Sequence, residues 1–137
     1  MEKEQIDYLR KGLIEELTEF NGEPRIFGVR SKIMEEILFN TDEFGMKTFA
    51  LPLELMKKVD FRGISFDNFF AYGFDFSLFK GISIDPQKVF DKDLSYANLN
   101  GVIITNTFDG VTVNGTEIEG MIYKTWKIKF KNLAKSK

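Results

Sequence analysis

The hydrophobic positions of this chain change their period partway along it. Between Lys3 and Phe20, Ile6, Leu9, Leu13, Leu17 and Phe20 recur at steps of three and four, which predicts an amphipathic helix with one apolar face. Glu2 and Glu4 favour its positive end, and Asn21-Gly22 supplies a stop. The short run RIFGV reads as extended. A second helical stretch, KIMEEILFN, sets Ile33, Met34, Ile37 and Leu38 on one face, and after the turn-rich NTDEFG, Pro52 suits the first turn of a third, PLELMKKV. Residues 1–58 therefore read as a helical lead-in.

From Val59 the step becomes five. Phe61, Phe66, Ala71 and Phe76 form one series, and Val59, Ile64, Phe69 and Phe74, each two residues earlier, form another. Neither 3.6 nor 2.0 generates two interleaved series of this kind, so a repeat is required. The pentads read VDFRG, ISFDN, FFAYG and FDFSL, and later KDLSY, ANLNG and VIITN. A one-residue slip then resets the frame to Phe108, Val113 and Ile118, each followed two positions on by Gly110, Gly115 and Gly120.

These pentads resemble the pentapeptide-repeat family, with ANLNG closest to its loose pattern and Asp60 and Asp75 in its acidic slot. The resemblance covers residues 59–120. It implies a mainly β fold: a short right-handed quadrilateral β-helix, four pentads to a square turn, preceded by the α-helical part at 1–58, which would cap it. Phe61, Phe66, Phe76, Leu94, Leu99, Ile104, Phe108, Val113 and Ile118 would point inward. A break at 80–93, containing Pro86 and several charges, reads as a loop projecting from one corner, with Ile84, Val89 and Phe90 available for contact. Residues 121–137 make the third part. In them WKIKFK alternates Trp126, Ile128 and Phe130 with Lys127, Lys129 and Lys131, which reads as a closing strand and basic tail.

Composition narrows the chemistry. The 137 residues include no cysteine and no histidine, which removes disulfides, thiolate catalysis, His-based zinc sites and His-dependent triads. Nucleotide-binding glycine motifs and EF-hand spacing are also missing; Asp-rich pieces such as FDKD offer oxygen ligands to a hard cation. The expectation is a protein that is not an enzyme and holds no metal or cofactor. No apolar run is long enough to span a membrane, and the charged N-terminus is unlike a secretory signal, so the chain reads as soluble and cytoplasmic. Asn114-Gly115-Thr116 matches a glycosylation sequon but reads as a turn.

The net charge of -2 is unevenly spread. Residues 59–120 hold nine acids against four bases, whereas the chain from Met121 onward holds six lysines and no acid. The resemblance implies a use for this asymmetry, because some pentapeptide-repeat proteins mimic a DNA duplex and occupy the DNA channel of a type II topoisomerase. On that reading the chain is a stoichiometric inhibitor of a nucleic-acid-handling enzyme, of bacterial or phage type, presenting Asp60, Asp67, Asp75, Asp93 and Asp109 as phosphate substitutes. The alternative is a general protein–protein interaction module that uses the corner loop or the N-terminal helix. Direct nucleic-acid contact through the basic tail and formation of a homodimer are further options.

Overall fold

The computed structural model describes residues 2–27 and 31–123. The first apolar run folds as α1 (Lys3–Glu19), with Ile6, Leu13 and Leu17 buried and Leu9 half-buried on the same face. The second folds as α2 (Ser31–Leu38), which buries Met34, Ile37 and Leu38. Its chain runs straight into a hairpin of β1 (Phe39–Thr41) and β2 (Lys47–Phe49), in register Phe39 to Phe49. The hairpin turns because Asp42 Oδ1 accepts the N–H groups of Phe44 and Met46, each within 2.9 Å. Pro52 then precedes the single-turn α3 (Leu53–Met56).

After Val59 the chain returns alongside itself at intervals of about 20 residues. The parallel contacts join Asp60 to Lys80, Asp75 to Asn98, Asn98 to Glu117 and Asp93 to Thr112, each as an isolated bridge. Only β3 (Ser83–Ile84) and β4 (Ile103–Ile104) pair in parallel over more than one residue. The last two strands, β5 (Thr116–Ile118) and β6 (Met121–Tyr123), are antiparallel.

The expected mainly β, quadrilateral β-helix is therefore corrected. Among the described residues there are three helices and three separate two-stranded sheets of two or three residues per strand, and no closed β-helical solenoid. The physical reason is the density of turns. Side chains of Asp60, Asp75, Asp85, Asp93 and Asn98 each accept the N–H two residues ahead, and left-handed residues recur between them at Gly63, Asn68, Gly73, Gly81, Tyr96 and Gly101. So little extended backbone remains between turns that no long ladder forms.

The projecting corner loop at 80–93 is corrected too. It contributes β3 and two 3₁₀ turns, Pro86–Lys88 and Phe90–Lys92, and it buries Ile82, Ile84 and Val89. Gln87 Nε2 ties it down by donating to the carbonyls of Thr107 and Asp109 at 2.9 and 2.8 Å. The segment is drawn inward because its apolar residues have a place in the core.

That core is continuous from Leu13 to Ile118, so the helices and the part from Val59 onward, whose chain coils back alongside itself, share it. Phe61, Phe66, Phe76, Leu94, Leu99, Phe108, Val113 and Ile118 are buried, while Ile104 is half-buried. Phe49 of the hairpin links the two regions: its ring lies within 5.2 to 6.1 Å of those of Phe61, Phe66, Phe69, Phe74 and Phe79.

Candidate functional site

The five acids expected to face a partner are mostly occupied with the chain's own turns. Asp60 is only 3% exposed; its carboxylate accepts Arg62 N–H at 3.1 Å and is paired with the guanidinium, whose Nη2 stands 2.9 Å from Oδ2. Burial pushes the Asp60 carboxyl up, but the hydrogen bonds from Arg62, with the Arg62 and Lys80 charges, outweigh it and hold it below the ordinary value. Asp75 accepts from the Ser77 N–H and hydroxyl, and Asp93 from the Ser95 N–H. Asp67 is half-buried, its own N–H bound by the Ser65 hydroxyl. Asp109 has one carboxylate oxygen buried without a hydrogen-bond partner. In their bridges Asp60, Asp75 and Asp93 stand beside Lys80, Asn98 and Thr112, so acid does not stack on acid.

The loop residues are no more available. Ile84 and Val89 belong to the core and Phe90 is half-buried. Lys127, Lys129 and Lys131, with the alternating run that carries them, lie outside the described residues.

A concave surface exists instead between α1 and α2. Leu9, Leu13, Phe27, Met34 and Ile37 line a groove of about 740 Å³, with Tyr8, Lys11, Glu15 and Glu16 along its edge. A shallower extension of about 360 Å³ continues past Tyr8 and Leu9 to Glu4 and Gln5. Tyr8 stands 78% exposed between the two.

The groove's walls are held in place. Arg10 of α1 reaches across to the end of α2, donating from Nε to Ile37 O at 2.8 Å and from Nη2 to Glu36 O at 2.9 Å, which satisfies carbonyls that the helix end leaves open. Glu16 pairs with Arg25 at 2.8 Å, and the Arg25 guanidinium lies 4.1 Å from the centre of the Phe27 ring. Lys58 Nζ donates to Leu17 O at 2.8 Å, fixing the far end of α1 to the segment after α3.

Gly12 lies on this groove in the middle of a 17-residue helix, and a β-carbon placed on it would meet nothing within 4 Å. Among the described residues no packing explains the glycine. Pattern reading passes over it, since it falls between the apolar positions of α1; an unforced glycine inside a strong helical run is the signal that could have found it.

Among the described residues no group of three or more acids is placed to hold a metal ion, Asp91 and Asp93 included, and no helix is long and apolar enough to cross a membrane. No protein-family model, curated protein or solved structure matches the chain.

Proposed function

We propose that this protein is a non-enzymatic binding module that grips a partner protein through the groove between α1 and α2. The observation that carries the reading is Gly12: among the described residues nothing lies within 4 Å of its missing β-carbon, and it lies on an apolar groove whose walls are pinned by Arg10 and Arg25. A glycine there costs helix stability and offers in return the close approach of another backbone.

The occupant this surface suits is a cationic amphipathic helix. Its apolar face would meet Leu9, Leu13, Met34 and Ile37. Its positive side chains would meet α1, where residues 2–19 carry six acids against three bases, one of which, Arg10, is already bound to carbonyls. The duplex-mimic reading has less to support it, because Asp60 is buried against Arg62, and Asp75 and Asp93 stand beside Asn98 and Thr112 and not beside other acids. A nucleic-acid-handling enzyme that presents a basic helix would fit the same surface.

The test is a titration of the full chain with an amphipathic helical peptide of leucine and lysine, beside a counterpart carrying glutamate for lysine. Binding of the lysine peptide alone, abolished by Gly12→Leu, supports the reading. Equal binding of both peptides, or binding that survives Gly12→Leu, rejects it.

A further inference from the structure

Away from the groove, three aromatic rings stand outside the core in neighbouring segments of the coiled part. Phe70, Tyr72 and Tyr96 are all exposed, Tyr96 by 55%. The Phe70 and Tyr72 ring centres are 6.4 Å apart, and those of Tyr72 and Tyr96 5.7 Å apart with their planes at 78°. Scattered exposed aromatics need no explanation, but a contiguous run of three does.

Tyr96 is also held in place. Tyr96 sits at φ 62, a left-handed conformation that costs a side chain free energy and is kept only where its surroundings enforce it. Its ring lies against Gly115, where a β-carbon would fall 2.5 Å from Cδ1, and its hydroxyl accepts from Asn114 Nδ2 at 3.0 Å. Its backbone N–H is bound by Asn114 O, and the Ser95 carbonyl beside it accepts from Gly73, next to Tyr72. With the Tyr96 ring so held, its near-perpendicular pair with Tyr72 offers π faces at a reduced ordering cost at binding.

Charge selects the guest. The region from 59 to 120 carries nine acids against four bases, and Asp75 and Asp93 come three residues from Tyr72 and Tyr96 in the sequence, while backbone hydrogen bonds from Phe70 to Lys47 and from Asn68 to Lys88 bring two lysines alongside the Phe70 segment. Aromatic faces attract cations, most of all the flat guanidinium, which can stack as well.

We infer that Phe70, Tyr72 and Tyr96 form a second docking surface, for an arginine-bearing segment of a partner protein. It is independent of the groove and does not require that groove to be used. Its contacts are cation–π stacking on the rings, with the net negative charge of residues 59–120 supplying attraction at longer range.

The experiment titrates the full chain with labelled oligoarginine, oligolysine and a neutral proline-rich peptide. Oligoarginine is expected to bind most tightly, to lose roughly fivefold in affinity with Tyr72→Ala and again with Phe70→Ala, and to be unaffected by Tyr72→Phe. Both truncated positions are exposed, so unchanged thermal melting of the variants accompanies the measurement. Equal binding of oligoarginine and oligolysine with no effect of Tyr72→Ala would reduce the attraction to net charge and overturn the proposal. Preference for the neutral peptide would overturn it as well, as would a dimer of the chain that Tyr72→Ala dissociates, since the wall would then serve a different guest.

Discussion

Tyr96 and Gly115 fit one another across two segments that are distant in sequence: a β-carbon on Gly115 would come within 2.6 Å of both Cδ1 and Cε1 of the tyrosine ring. Gly115 also has φ +74, so two separate demands, conformation and space, fall on one residue. Gly73, at φ +68, has the first demand without the second, because nothing lies within 4 Å of its missing β-carbon. Gly73→Ala should therefore cost about 1–2 kcal/mol and Gly115→Ala about 2–4 kcal/mol in urea unfolding. In a Tyr96→Ala background the excess at Gly115 should vanish; equal costs at the two glycines would show that the ring contact contributes nothing.

Asp60 gives the fold a dependence on acid. Its folded-state carboxyl is held below the ordinary 3.8, so the stabilisation it supplies is complete above that value and is lost as pH falls through the lower folded-state value. Arg62 is largely exposed and keeps its own hydration, so removing the pair costs less than for two buried ions. Asp60→Asn should lose about 1–3 kcal/mol at neutral pH, measured by urea unfolding, and the gap to the natural chain should close in strongly acidic solution. A gap that stayed constant with pH would mean that the turn, not the charge, is what Asp60 supplies.

What the sequence revealed and what it hid follow from the same pattern. The step of five identified inward positions because burial is the strongest constraint on an apolar residue, and Phe61, Phe66, Phe76, Leu94, Leu99, Phe108, Val113 and Ile118 are inside. It did not reveal how the backbone connects them, since short bridges and long ladders place side chains alike at this spacing. Nor did it separate a solvated carboxylate from one bound to the N–H two residues on, although Asp60, Asp75, Asp85 and Asp93 all make that bond. The same register, by putting Ala71 inward, puts Phe70 and Tyr72 outward, but the step of five carries no information on whether two outward rings meet.

The shared core makes the aromatic centre the place where truncation is felt most. Phe66 is 3% exposed and its ring meets those of Phe39, Phe49, Phe61, Phe69 and Phe76, drawn from both the hairpin and the coiled part. Phe66→Ala should lose about 3–5 kcal/mol, and Leu99→Ala about 2–5 kcal/mol, by denaturant unfolding. If both regions unfold as one body, fluorescence and far-ultraviolet circular dichroism should give a single coincident transition in each variant. Separate transitions for helix and aromatic signals would show that the core is divided.

Gly12 separates stability from binding, which makes it the sharpest probe of what the protein does. Inside α1 the glycine is unfavourable, and with nothing within 4 Å of its missing β-carbon a methyl group would meet no obstacle. Gly12→Ala should therefore raise stability by about 0.5–1 kcal/mol in urea unfolding. Gly12→Leu should leave the fold at least as stable as the natural one, because leucine is a good helix former and the groove has room for its side chain. The same leucine fills the space a partner helix needs, so its binding should fall steeply while melting does not. A structural role for the glycine predicts the reverse, with both substitutions destabilising and neither acting on binding except through unfolding. Stability and peptide affinity that move in opposite directions across glycine, alanine and leucine would identify the groove as the surface that meets the partner.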